Sequence, residues 1–232
     1  MKRFYTEAAV EPCEGGFRIT LDGRSIRTQG GAAQIVPTAA LANALAAEWR
    51  AQGETIDAAM FPLRDMADYA IDQVARNRAG VIETLLSYAE TDTLCYRADP
   101  DEALYRRQLA VWEPLLVALE TREGVRFARA SGVIHRAQPP ETLARLRERL
   151  NAQGDFALAA LQPMASLAAS LTIALLTLGP DADIPALWQA ASLEELWQAE
   201  LWGRDEAAEA RRQQRGRDFA AAAEFARLAR GR

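Results

Sequence analysis

Two different spacings of apolar positions divide the chain. Near the N-terminus Phe17, Ile19 and Leu21 alternate with Arg18 and Thr20, a period of two that sends every second side chain to one face of a strand. Asp22-Gly23 follows, then a run from Ser25 to Thr28. An Asp-Gly pair between two such runs predicts a hairpin, because both turn residues must adopt positive φ. A further extended run, Ala33 to Val36, ends at Pro37-Thr38, where Thr38 is placed to cap a helix carrying Leu41, Leu45 and Trp49 towards Gly53. From Pro62 onward the period becomes helical and predicts helices near 63–78, 79–94, 101–121, 140–152, 156–178, 184–201 and 205–229. Between them Val125, Phe127 and Val133, around Gly132, read as a short extended piece. The expected class is α+β: a small β-rich N-terminal domain with one or two helices over 1–75, then a larger all-helical C-terminal domain over 76–232.

One stretch changes that picture if misread. Phe156 to Pro180 carries no charged residue and exceeds the roughly 20 residues that span a bilayer. It also holds Gln162, Pro163, Ser166, Ser170, Thr172 and Thr177, and Asp155 and Asp181 border it without a basic anchor. The reading is a buried central helix near 156–178, apolar all round because it lies in a core.

Composition narrows the function classes. The 232 residues are 50% hydrophobic, enough for a proper core, and 27 basic against 32 acidic residues leave a net charge of -5. An acidic chain does not suit a nucleic-acid backbone as main partner. The arginines of the tail, Arg211, Arg212, Arg215, Arg217, Arg227, Arg230 and Arg232, are interleaved with Asp218 and Glu224 and read as a solvated helix face. Two cysteines, Cys13 and Cys95, make no disulfide framework, and the N-terminus has the form of neither a secretory signal nor a transit peptide, so a bacterial cytoplasm is the expected setting.

Candidate chemistry is sparse. The single histidine, His135, leaves little room for a nucleophile-and-base pair, and Cys13, Cys95 and His135 lack zinc spacing. Gly15-Gly16 and Gly30-Gly31 sit outside any phosphate-binding pattern and read as turns. Asp92, Cys95 and Arg97 stand close together near a predicted helix end; a hydrolase or transferase could use this cluster, with Asp92 as base and Cys95 as nucleophile. The alternative is a capping aspartate, a core thiol and an ion-paired arginine.

The segment from Ser192 to Asp205 sets two tryptophans among acidic residues ahead of Gly203. As a helix it places Leu193, Leu196, Trp197 and Leu201 on a core stripe, and Glu195, Gln198 and Trp202 on a second face. That second face reads either as a docking surface or as local structure, with Ser192 and Glu195 forming a capping box and Trp202 packing on the next helix.

Taken in order, the residues resemble the ATP synthase assembly factor two family. The match begins with Arg3-Phe4-Tyr5, Gly16-Phe17, Leu21-Asp22-Gly23-Arg24, Arg27-Thr28, Val36-Pro37-Thr38 and Leu41-Ala42. It continues through Glu48-Trp49, Gln52-Gly53-Glu54, Pro62-Leu63, Ala70-Ile71-Asp72, Tyr88, Thr91-Asp92 and Leu94-Cys95-Tyr96-Arg97. Gln108, Trp112-Glu113-Pro114-Leu115-Leu116, Gln138-Pro139, Ala160-Leu161, Ser170-Leu171, Glu195, Trp197-Gln198 and Trp202-Gly203 complete it. Departures are Arg64-Asp65 for Thr-Arg, Asp68-Tyr69 for Asn-Thr, Gln162 for histidine and Ala168-Ala169 for Thr-Gly. The resemblance implies a chaperone that holds the unassembled alpha subunit of the catalytic head until beta subunits replace it. It implies no catalysis, cofactor or metal, and it adds Asp205 to Glu195, Gln198 and Trp202 as candidate partner contacts. Eukaryotic members of the family would be mitochondrial.

Overall fold

The computed structural model describes residues 1–132 and 135–231. Val133, assigned above to an extended piece, lies outside them. Two compact units partition the chain: 1–78 with 154–160 and 221–232, and 79–153 with 161–220.

The first unit is built on four strands, β1 (Ala8–Cys13), β2 (Gly16–Leu21), β3 (Arg24–Ser25) and β4 (Ile35–Val36). β1 lies antiparallel along all of β2, with Val10 opposite Ile19; β3 and β4 share the other edge of β2, β3 against Thr20 and Leu21, β4 against Phe17 and Arg18. The predicted Asp-Gly hairpin is present, with Asp22 at φ 47° and Gly23 at φ 76°. Asp22 also accepts the N–H groups of Thr6 and Glu7, which ties the incoming chain to the turn and pulls its carboxyl below the usual range.

Thr38 caps α1 (Ala39–Arg50), accepting the N–H of Leu41 at 3.1 Å, and α1 buries Leu41, Ala42, Leu45, Ala46 and Trp49 against the sheet. Tyr5, Trp49 and Phe61 form an aromatic column with ring centroids 5.5 and 4.5 Å apart, and Arg64 stacks 3.9 Å above Phe61. α2 (Pro62–Tyr69) continues into one π turn, Ala70–Val74, which turns Asp68 and Asp72 onto the loop between β3 and β4. Asp68 accepts from Gln34 and from the N–H of Gln29; Asp72 accepts from the Thr28 hydroxyl and the N–H of Gly30. A Cβ on Gly30 would sit 2.6 Å from the Asp72 carboxylate, so glycine is required there for close approach, while Gly31 supplies the positive φ of 84°.

Glu48 on α1 accepts the N–H groups of Leu63 (2.7 Å) and Arg64 (2.9 Å), capping α2 where Phe61 offers no side-chain acceptor. Burial pushes its carboxyl up to about 6 from an ordinary 4.5, despite those donors. The folded chain therefore holds this proton more tightly than the unfolded one. That contribution to stability is complete below 4.5 and is lost as pH rises through about 6. Thermal melts of wild type and Glu48→Gln at pH 4.5 and pH 7 check this: the gap between their midpoints should shift against wild type at the higher pH, and a constant gap contradicts it.

Among its described residues the second unit is built of helices and loops with two short strands. It takes most of α3 (Arg78–Glu90), then β5 (Tyr96–Arg97), α4 (Ala103–Glu123), β6 (Ala130–Ser131) and α5 (Pro140–Asn151). β5 and β6 pair in parallel, so among the described residues of the extended piece expected over 125–135 only Ala130 and Ser131 form a strand. Val125 and Phe127 are buried beside it, and Arg129 bridges the α4 carboxylates Glu113 (2.9 Å) and Glu120 (3.1 Å).

The single helix expected near 156–178 is two, α6 (Asp155–Ala168) and α7 (Leu171–Leu176). Ala169 turns left-handed at φ 46°, the Ser170 N–H reaches back to the Ala165 carbonyl at 3.1 Å, and the Ser170 hydroxyl caps α7 through the N–H of Ile173. Apolar composition through the break hid it; the burial itself is as expected, from Leu158 and Leu161 to Leu175. Position 169 is one where the family resemblance leads one to expect glycine, and a left-handed alanine costs roughly 1 kcal/mol. Ala169→Gly should raise stability by about that amount, read as a higher urea midpoint.

The remaining helices are α8 (Ile184–Ala191), α9 (Leu193–Trp202) and α10 (Glu206–Ala229), so the helix expected over 184–201 breaks at Ser192. Among the described residues no helix is long and apolar enough to cross a membrane.

Candidate protein-docking site

α8 begins where Asp183 caps it by accepting the Ala186 N–H at 2.9 Å, and it is anchored by the indole N–H of fully buried Trp112, which donates to the Ala190 carbonyl at 2.8 Å. α10 crosses α8 at Gly216, where a Cβ would stand 2.7 Å from Trp188 Nε1; the absent side chain lets the indole lie against the backbone. That approach sets Arg215 over the Trp188 ring, with Phe219 5.5 Å from it on the next turn.

α9 is fixed on its flank by polar contacts. Glu194 accepts from Gln108 at 2.7 Å, Glu200 pairs with Arg107 at 3.1 Å, and the Arg107 guanidinium lies 6.0 Å from the Trp197 ring. Glu195 accepts both of its bonds from Arg215, the second at 2.6 Å, so it forms no capping box. Ser192 makes no side-chain cap, and its hydroxyl is buried with no hydrogen-bond partner among the described residues. Arg215 lies twenty residues downstream, beyond the reach of a helix-local reading.

The core stripe assigned to α9 holds only in part. Leu193 is buried and Leu196 and Trp197 are half-buried, but Leu201 is 56% exposed. Beside it Trp202 is 78% exposed and does not pack on the following helix. The helix stops there because Gly203 takes φ 93°, after which Asp205 caps α10 by accepting the Ala208 N–H at 2.7 Å. Gln198 is exposed one turn before Trp202. The four sequence-assigned residues thus lie on one helix and the cap that follows it: Glu195 and Asp205 make contacts within the chain while staying exposed, and Gln198 and Trp202 are exposed. Leu201, whose spacing assigns it to the core stripe, instead extends the exposed apolar surface beside Trp202.

The Asp92, Cys95 and Arg97 group is differently placed. Asp92 is fully buried, accepts the N–H groups of Leu94 (3.1 Å) and Thr172 (2.8 Å), and thereby holds a short helical turn to the start of α7; burial raises its carboxyl. Cys95 is 1% exposed, and burial, then the Asp92 charge, push its thiol far above the usual range. A protonated thiol in a filled core is no nucleophile. Arg97 is buried against Glu113. His135 meets the Tyr96 hydroxyl at 2.9 Å through Nδ1. Among the described residues no group of three His, Cys, Asp or Glu could hold a metal ion.

Comparison with known proteins gives the same family as the resemblance. The family model described as ATP12 chaperone protein matches residues 2–120. The fission yeast (Schizosaccharomyces pombe) protein named Protein atp12, mitochondrial, is 26% identical over 214 residues, which cover 87% of this chain and 74% of that one. The crystal structure of Atp12 from Paracoccus denitrificans is 36% identical, with a TM-score of 0.93 over 98% of each chain. A solved structure from Agrobacterium tumefaciens is 38% identical, with a TM-score of 0.93 over 97% of this chain and 85% of that one.

Proposed function

The chain belongs to the ATP12 chaperone family, a family of assembly chaperones, and from that premise we propose that it binds the unassembled alpha subunit of ATP synthase and shields its subunit-interface surface until beta subunits replace it. The observation that carries this reading is the open indole of Trp202 with Leu201 beside it. A large aromatic left in water on a well-ordered helix end is the usual mark of a protein contact.

The physical demand on such a chaperone is specific. An orphan subunit of an obligate ring exposes an apolar interface that would otherwise aggregate, so the chaperone must cover it yet yield to the true neighbour. A few anchors in a modest interface meet both needs. Trp202 supplies the anchor, Gln198 a hydrogen-bonding neighbour, and Glu195 a carboxylate already oriented by Arg215 and able to accept a cation from the partner. Asp205, as the α10 cap, holds the corner in shape. No bond is made or broken in this account, and the setting is the bacterial cytoplasm.

Purified alpha and beta subunits, offered separately to the immobilised chain, test the reading. Retention of alpha alone supports it; equal retention of both, or of neither, contradicts it. Glu195→Lys should weaken alpha capture about tenfold by setting a cation beside Arg215, with the fold intact, because an exposed pair of this kind stabilises by at most about 1 kcal/mol. Unchanged capture removes Glu195 from the contact.

A further inference from the structure

The first unit carries a groove of about 670 Å³ that nothing above uses. Tyr5, Leu21 and Trp49 line it together with Phe4 and Ile26, and Phe4 is 62% exposed. Its remaining lining includes Arg24, Ser25 and Arg27. Successive side chains of an extended segment point to opposite faces. A cavity that touches all four residues from Arg24 to Arg27 therefore runs along the edge of the segment, not over one face.

That edge is open. β3 pairs with β2 on one side only. The N–H of Ile26 donates inward to the Ile19 carbonyl at 3.1 Å, and in an antiparallel ladder the alternate residue, Ser25, then directs its N–H and C=O outward. The groove lining carries a surplus of positive charge, two arginines against one carboxylate. The ionised Asp22 carboxylate is turned to the N–H groups of Thr6 and Glu7, whereas the Arg24 side chain is exposed with no hydrogen bond or ion pair among the described residues, and the Arg27 side chain donates to the Gly31 carbonyl. Positive charge beside an apolar trough, on a chain of net charge -5, marks a local preference for an anionic guest.

We infer that this groove binds an extended, acidic segment of the client polypeptide, which adds to the sheet at Ser25, lays an aliphatic or aromatic side chain between Phe4 and Ile26, and presents a neighbouring carboxylate to Arg24 and Arg27. Strand addition supplies affinity through main-chain hydrogen bonds, and the trough and the arginines supply selectivity. The identity of the client rests on the function proposed above; the groove's preference does not.

The test probes an array of overlapping peptides from the alpha and beta subunits with the full-length chain and with three variants: Arg24→Glu, Ser25→Pro and Ser25→Ala. Proline deletes the outward N–H of Ser25 at an edge position that tolerates it, while alanine keeps that donor. The wild-type chain should select alpha peptides with a carboxylate one or two residues from a large apolar side chain. Arg24→Glu and Ser25→Pro should each lower that binding about tenfold, and Ser25→Ala should leave it unchanged. On binding, hydrogen exchange at the Ser25 amide should slow by about tenfold or more. Selection of such peptides from beta alone would keep the groove and remove the alpha-subunit reading. Binding by no peptide, or equal binding by all three variants with unshifted melting curves, would overturn the groove itself. A variant that melts early is judged by Ser25 exchange in the wild-type chain, where absence of protection likewise overturns it.

Discussion

Trp202→Ala should weaken capture of the alpha subunit by about 30-fold and move the thermal midpoint by no more than about 2 °C. The two halves of that expectation have separate causes. The indole is 78% exposed, so its removal returns little buried area to water and leaves no cavity. In a complex the same ring would be desolvated at the centre of the contact, where tryptophan truncation costs about 2 kcal/mol or more. Calorimetric titration and a melting curve on the same sample separate these effects. Capture lost together with stability would mean that Trp202 supports the fold; both unchanged would mean that the contact lies elsewhere.

The opposite pattern is expected at Trp112. This ring is fully buried on α4, and its N–H is satisfied by the Ala190 carbonyl at 2.8 Å. Trp112→Ala should destabilise the chain by about 3–5 kcal/mol, since it removes a large buried surface and leaves a cavity that packed helices cannot close. For a chain of this length that corresponds to a midpoint lower by roughly 10 °C. Trp112→Phe keeps most of the volume, loses the bond to Ala190 and should fall between the two. Urea unfolding measures all three. A Trp112→Ala chain as stable as wild type would show that α4 does not carry the core of its unit.

The contrast between two tryptophans ninety positions apart shows what a linear pattern reveals. Period and caps found most elements: the Asp22-Gly23 turn, the Thr38 cap and α10 follow from local chemistry that acts within a few residues. The break at Ala169 was hidden because the residues on either side are as apolar as the helices they separate, and it is held by Asp92 from far upstream; the break at Ser192 falls at the residue the sequence offered as a helix cap, although the helix was expected to run through it. β1 was not singled out because its residues from Ala8 to Cys13 carry weak alternation of their own; their strand state comes from pairing with β2. The return of 154–160 and 221–232 to the first unit is likewise a matter of tertiary contact that no local period records.

The candidate site was legible in residue type more than in role. An exposed Trp202 beside Gln198 follows from the second face of α9. The partners of Glu195 and Asp205 do not, since a capping box and an ion pair to Arg215 both suit the same glutamate. Leu201 keeps the spacing of the core stripe yet is 56% exposed, two residues before α9 ends at Gly203.

Light scattering from freshly diluted alpha subunit, with and without an equimolar amount of this chain, tests the proposed shielding most directly. The account predicts that scattering stays near baseline while the chain is present and that added beta subunit releases the chain into free solution. Aggregation of alpha at the same rate in both samples would contradict it.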